Sequence, residues 1–368
     1  MKLIFEKTEL VRAVNTVQKA VSVRTTMEIL QCILIDAKGS SIFFAGNDLD
    51  LGIQTGVTGE IVEKGAVALN AKTFSELVKK LPEDQITFEV NENNLCHLTC
   101  DKKSFEIPGL SADEFSYLPE IEKENSVILS QNALKDIINQ TIFSLSVNDV
   151  NVMMTGELFE IKEGNLKVVA LDSHRISIRN IPVDEKDRNI KVVIPGKSLK
   201  EISGILESDT EKEVHIYFSE RHVLFEFDDT RVVSRLLEGN YFNVNQMISN
   251  DHATQIVLNR EQLIDSIDIL MVLIQESDKR PVIMDIKDDV MDIYVKTGKG
   301  YGIESVDIKK TGADIKIGFN PKFIIEALKV IEDEEVTISF VNPKSPCFIK
   351  DDEDTYLYLI LPVNFTED

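Results

Sequence analysis

Ile194-Pro-Gly-Lys-Ser-Leu-Lys-Glu-Ile-Ser-Gly-Ile-Leu206 reads as a short amphipathic helix, and the chain carries its pattern three times. Leu69-Asn-Ala-Lys-Thr-Phe-Ser-Glu-Leu-Val-Lys-Lys-Leu81 lies upstream, and Phe319-Asn-Pro-Lys-Phe-Ile-Ile-Glu-Ala-Leu-Lys-Val-Ile331 lies downstream. Aligned on Lys72, Lys197 and Lys322, the copies stand about 125 residues apart. Two residues on come Phe74, Leu199 and Ile324; five on, Leu77, Ile202 and Ala327; nine on, Leu81, Leu206 and Ile331. Apolar residues at these steps share one helix face. A period of this length predicts a tandem of similar domains rather than a short-repeat solenoid.

A second helix set repeats in the same way, opening at Phe5, Leu129 and Leu258. Leu10, Leu134 and Leu263 fall in register, as do Val14, Ile138 and Ile267, and then Val21, Leu145 and Ile274. Thr8, Ser130 and Asn259 are candidate N-caps. Between the helices lie alternating, half-buried strand patterns: 32–36, 42–45 and 50–55, with 86–90, 214–218 and 336–340 after the second helices. Helix, strands, helix, strands is an α+β order with antiparallel hairpins, not a doubly wound βαβ alternation. Polar stretches at 118–126 and 248–254 read as linkers. They predict three domains, at 1–122, 127–247 and 255–368.

The chain has 368 residues, room for two or three domains. Its apolar content of 43% suits globular cores. No run reaches the ~18 apolar residues of a membrane span, and the opening Met1-Lys-Leu-Ile-Phe-Glu-Lys has no signal-peptide core. Four cysteines make no disulfide framework. The expected setting is a reduced cytoplasm, with no membrane contact. The net charge of −23 argues, taken in bulk, against nucleic acid. Yet across the six helical segments basic residues slightly outnumber acidic ones, and net charge does not report where charges lie.

Two constellations invite chemistry. Cys96-His-Leu-Thr-Cys100 has metal-ligand residue types, but on a strand Cys96, Leu98 and Cys100 share one face, and buried cysteines behave as small hydrophobes. Asp172-Ser-His174 holds hydrolase residue types, but adjacent side chains diverge and no nucleophile elbow or Gly-rich loop accompanies them. No phosphate-binding or dinucleotide fingerprint is present. No catalytic residue, metal or cofactor is expected.

Local motifs add a resemblance. Arg24-Thr-Thr-Met-Glu-Ile-Leu30, Thr155-Gly-Glu-Leu-Phe159, Leu171-Asp-Ser-His-Arg-Ile176, Ser234-Arg-Leu-Leu-Glu-Gly-Asn-Tyr241 and the terminal Leu361-Pro-Val363 resemble, in order and spacing, segments of the bacterial sliding clamp family, the β subunit of DNA polymerase III. The resemblance spans the whole chain. It implies three clamp-type domains, each with two helices packed on antiparallel sheets, in a head-to-tail dimeric ring. Helices would line the hole and sheets form the outer wall. A homodimer would encircle double-stranded DNA without reading sequence, and tether DNA polymerase and clamp-loader subunits through short linear motifs. Carried over by position, Arg24, Lys72, Lys79, Asn148 and Lys197 would approach DNA, while Asn151 stands where many members have arginine. A peptide pocket would comprise Met154, Leu171, Ser173, His174, Arg175, Ile176, Phe242, Met247, Asn320, Phe323, Leu359, Leu361, Pro362 and Val363. Phe105, Ile107, Leu273 and Ile274 match positions near the subunit seam. Phe242 replaces a proline expected after Tyr241, Glu28 replaces one before Ile29, and Asn364 stands where arginine is common. Two other readings compete: a clamp-fold scaffold that no longer encircles DNA, motivated by the acids Glu261, Asp265 and Asp268 in the last domain, and a carboxylate-dependent hydrolase.

Overall fold

A computed structural model describes residues 1–368 except 23, 83, 124–125, 148–149, 186–187, 250, 276–279 and 366–368. Among the described residues there are six α-helices, at the six expected places: α1 (Lys7–Val17), α2 (Ala71–Lys80), α3 (Gln131–Asn139), α4 (Gly196–Ser203), α5 (Arg260–Met271) and α6 (Pro321–Lys329). The registered apolar positions are buried: Leu10, Leu134 and Leu263, then Val14, Ile138 and Ile267, then Phe74, Leu199 and Ile324. Val21, Leu145 and Ile274 fall beyond the helix ends and are half-buried.

The helix starts follow cap chemistry. Asn70 accepts the N–H of Thr73, Asn259 that of Gln262 at 2.9 Å, and Asn320 that of Lys322 at 3.1 Å, with Pro321 in the first turn. Ser130 Oγ accepts the N–H of Ala133 at 3.1 Å. Each side chain satisfies one of the donors a helix start leaves open. Thr8 does not do this. The strand Lys2–Glu6 runs straight into α1, the boundary residue is Glu6 without a side-chain cap, and Thr8 already lies in the first turn.

The fold divides into two compact units, residues 1–135 with 197–236 and residues 136–196 with 237–368. The middle third of the chain thus contributes strands to both. In the first unit one antiparallel sheet of 13 strands runs through all the described strands. Its two parts meet where Thr230–Arg235 pairs with Leu51–Val57, and the hydroxyls of Thr230 and Thr55 lie 2.9 Å apart in the core. Under α1 and α2, Phe5, Phe44, Phe74 and Phe88 close a ring of aromatic contacts, with centroids 5.9 to 6.4 Å apart. Tilted and edge-on contacts of this kind add to the area burial of each ring. Phe74 is the α2 member of the repeated apolar face, so the pattern that marks the helix also supplies its core anchor.

The second unit holds a nine-stranded and a four-stranded antiparallel sheet. The nine-stranded sheet is joined by Arg175–Pro182 against Tyr356–Ile360, in a register that sets Ile176 opposite Leu359. Both helices of the last third, α5 and α6, pack on one apolar cluster that includes Leu263, Ile267, Ile324 and Leu328.

One buried group is costly. Glu157, on the strand Gly156–Lys162, is wholly buried; its Oε1 is 3.0 Å from Thr141 Oγ1 and its Oε2 has no partner among the described residues. The same hydroxyl faces the carbonyl oxygens of Ile137 at 2.8 Å and Ile138 at 3.2 Å. One hydroxyl proton cannot serve three acceptors. A protonated Glu157 resolves this by donating to Thr141, which donates to Ile137. Burial pushes this carboxyl well above the usual range, against a smaller opposing effect of the Thr141 hydrogen bond. Because the folded form holds a proton that the unfolded chain releases above about pH 4.5, stability falls as pH rises from there towards the folded pKa. Glu157→Gln, which mimics the protonated acid, should therefore gain Tm over the native chain as pH is raised from 5 to 8. A Tm difference that stays flat with pH would show that Glu157 is ionised in the fold.

Candidate nucleic-acid and peptide sites

On the first unit, α2 and the segment that follows α1 bound a cleft of about 570 Å³ whose lining includes the apolar Val21 and Ala71. Lys72 and Lys79 line it with Gln18, Ser22, Gln31, Asn70, Ser75 and Glu76. Lys72 and Lys79 stand one above the other on the exposed side of α2, opposite the buried Phe74 and Val78. Neither engages an acidic side chain among the described residues. Arg24 is exposed in the loop that Gln31 ties down through a bond to Thr25 O. Lys197 is exposed at the start of α4, its Nζ 2.6 Å from Asp48 Oδ2. The arrangement can meet phosphates as point charges and offers no base-reading geometry. Asn148 lies outside the described residues. Asn151 accepts the N–H of Met153 at 3.1 Å, so its side chain caps the 3-10 turn Val152–Thr155.

On the second unit an apolar row crosses the sheet. Leu171 pairs with Ile176, Ile176 with Leu359, and Leu359 with Phe348. All four belong to one cluster, against which Met154 and Phe242 pack. Leu171, Ile176 and Leu359 are each at most 5% exposed, so they form the floor of this region rather than its rim. Phe242 leans edge-on against Tyr241, whose hydroxyl donates to Val169 O at 3.0 Å. The phenyl ring standing in place of the expected proline is thereby seated on the cluster. Met247 is 50% exposed in the turn that follows the buried Val244.

A polar and aromatic group sits at the end of the same strand. Asp172 Oδ1 accepts the N–H groups of His174 and Arg175, and its Oδ2 takes Arg175 Nε at 3.1 Å. Arg175 also donates to Glu326 and to Phe143 O, with its guanidinium 4.3 Å from the Phe323 ring centre. The rings of His174 and Phe323 lie 6.0 Å apart. Asp172 therefore builds a turn and holds an arginine, and among the described residues its carboxylate meets the backbone N–H of His174 rather than the imidazole. The terminal segment is zipped on by Leu361 N to His174 O and Val363 N to Gly318 O, both 2.8 Å. At Gly318 a Cβ would lie 2.8 Å from the Phe365 ring, so the glycine admits the tail. Pro362 and Val363 are half-buried, Leu361 and Ser173 exposed, and Asn320 serves α6 as its cap. Sequence reading missed Phe348, Val244, Glu326 and Gly318. Alternation could have flagged Phe348, but nothing local marks Glu326 as the acid that closes on Arg175.

Of the seam candidates, Phe105 is exposed, Leu273 and Ile274 are half-buried, and Ile107 is buried in its own sheet. Leu273 lies over Gly302 of the edge strand Gly300–Asp307, where a Cβ would meet it at 3.0 Å. Cys96 and Cys100 are buried, and burial pushes the Cys96 thiol up to about 12, so these strand cysteines pack as core groups.

Lysine cannot make the planar, three-way contact of Arg175. Arg175→Lys should cost about 1–3 kcal/mol in denaturant unfolding, and Arg175→Met, which takes the buried guanidinium away from Asp172 and Glu326, about 3–5 kcal/mol. A native midpoint for both would remove the assigned role.

Comparison with known proteins agrees with this geometry. Family models for the DNA polymerase III beta subunit match throughout: the N-terminal domain over residues 1–119, the central domain over 128–243 and the C-terminal domain over 245–364. The beta sliding clamp of Bacillus subtilis is 35% identical over 99% of both chains. The crystal structure of the DNA polymerase sliding clamp from Bacillus subtilis superposes with a TM-score of 0.96 at 34% identity, covering 100% of both chains. A crystal structure from Eubacterium rectale gives a TM-score of 0.96 at 51% identity over 99% of both. With three clamp domains of mixed α and antiparallel β structure, the chain belongs to the DNA polymerase III beta subunit family, the bacterial beta sliding clamps.

Proposed function

We propose that two copies of this chain close head to tail into a ring around duplex DNA and act as a non-enzymatic processivity factor. Each copy supplies three domains, 1–122, 127–247 and 255–368, whose helices face the hole. The observation that carries the reading is the exposed set Lys72, Lys79 and Lys197 on helix faces of a chain with net charge −23. Scattered lysines attract backbone phosphate without sequence preference, while an acidic remainder repels DNA from other faces. Arg24 joins this lining, and Asn148, outside the described residues, is assigned to DNA by the resemblance alone. Topology, not affinity, then keeps the clamp on DNA.

Two sheet edges support closure between copies. Over residues 103–108 the strand Lys103–Leu110 pairs on one side only among the described residues, with Leu95–Cys100. Gly300–Asp307 is the edge of its four-stranded sheet. Open edges recruit strands, and two different edges give the heterologous contact that a closed ring needs. Phe105 on one edge, and Leu273 and Ile274 beside the other, supply apolar packing; Ile107 contributes from the core side.

Polymerase and clamp-loader subunits dock short linear motifs on the second unit. Met154, Phe242 and Met247 form adaptable walls over the floor of Leu171, Ile176 and Leu359. Ser173, His174, Arg175, Asn320, Phe323, Leu361, Pro362 and Val363 frame the polar end.

The native mass should be about twice the 41.5 kDa chain. Clamps loaded on a closed circle should be retained and then lost once the circle is cut; equal retention on circle and line would exclude encirclement and favour a scaffold. Met247→Glu, at an exposed position, should weaken a polymerase-tail peptide about tenfold or more, near 1.4 kcal/mol, with the dimer intact. Unchanged affinity in a titration would remove the pocket assignment. Leu171 is a poorer probe because its burial couples binding to folding.

A further inference from the structure

The lysines of the first unit are not equivalent. Lys72 and Lys79 engage no acidic side chain among the described residues, whereas two others are held. Lys197 Nζ sits 2.6 Å from Asp48 Oδ2, and Lys19 Nζ sits 3.3 Å from Glu201 Oε2. The pairs are reciprocal: a lysine of α4 meets an acid before the strand Leu51–Val57, and a lysine after α1 meets an acid of α4.

The Asp48 pair is lopsided. Its carboxylate is fixed, because Oδ1 accepts the N–H of Asp50 at 3.1 Å and of Leu51 at 2.8 Å, and its side chain is only 8% exposed. The Lys197 side chain is 70% exposed. The acid is thus a built part of the turn, and the lysine is the partner that can leave.

We infer that Asp48 is an internal competitor for DNA phosphate at Lys197, a positioning residue that turns this contact from capture into exchange. The inference rests on the reading of Lys197 as a DNA contact. An ammonium has three donors; one is directed at Asp48, and the others remain for a phosphate. With the carboxylate beside it, the approaching phosphate meets a nearly neutral pair rather than a full positive charge. The lysine of this pair is open to water and salt, which weaken the pairing, and the carboxylate keeps its two backbone N–H donors when the lysine leaves, so a phosphate displaces the acid at small cost and is itself displaced when the duplex moves on. A ring that has to move along DNA gains from contacts of this kind, since each held lysine grips less and releases sooner.

The test measures binding of a fluorescein-labelled linear duplex by anisotropy across a salt series, for the native chain, Asp48→Asn, Lys197→Ala and the double variant. Asparagine retains the oxygen that accepts from Asp50 and Leu51 and removes the charge. Asp48→Asn should steepen the slope of log K against log[salt] by up to about one, which corresponds to roughly a fourfold further gain in affinity between about 200 and about 50 mM salt. Lys197→Ala should make the slope shallower, and Asp48→Asn should add nothing in its background. A native slope for Asp48→Asn beside a shallower slope for Lys197→Ala would overturn the competitor role and leave the DNA contact standing. A native slope for Lys197→Ala would overturn the contact itself. A purely structural ion pair would lower Tm without moving either slope. Should Asp48→Asn fail to fold, Asp48→Ser keeps a turn acceptor and carries the same two outcomes.

Discussion

Two backbone ladders hold everything else in place. Thr230–Arg235 lies against Leu51–Val57 in the first unit, and Arg175–Pro182 against Tyr356–Ile360 in the second. Each joins strands from distant parts of the chain into one sheet, and each must pair nearly every N–H and C=O, because buried backbone groups left unpaired are expensive. A strand register cannot drift, since a slip of one residue turns every side chain to the opposite face. In the second unit this locks Leu171, Ile176, Leu359 and Phe348 into one row. It also leaves Arg175, one residue before Ile176, facing the other way. There it reaches Asp172, Glu326 and the ring of Phe323. Floor and frame of the candidate peptide site follow from one pairing.

Electrostatics works by placement. A chain of −23 is expected to avoid nucleic acid, yet its lysines project from the polar sides of helices whose apolar sides are committed to the core. The burial of Phe74 and Val78 compels Lys72 and Lys79 to point outward. The strength of each positive site is then set by neighbours. Asp48 and Glu201 pair with Lys197 and Lys19, while Lys72 and Lys79 face a cleft whose one acid among the described residues is Glu76.

The repeated helices were legible because 3.6-residue periodicity is a local property, and every apolar position aligned across the three copies of the second helix, apart from the half-buried Leu77, is buried. Caps were legible where the polar residue stands directly before the helix, as at Ser130 and Asn259. Thr8 was misjudged because a strand feeding α1 without a turn moves the boundary upstream. Helix ends were overestimated, since α3 stops at Asn139 and α4 at Ser203 while apolar residues continue beyond. Periodicity does not say where backbone bonding changes partner.

Sequence alone determined the α+β order, the threefold repeat, the buried face of each helix and, through its motifs, the clamp resemblance. These follow from spacing along the chain and need no partner. Only the tertiary structure decided which residues act together. Arg175 and Glu326 are 151 positions apart, and Lys197 and Asp48 are 149 apart. Sheet pairing brings such residues within hydrogen-bonding distance, and no local pattern records an acid's charge as reserved for a lysine so far away.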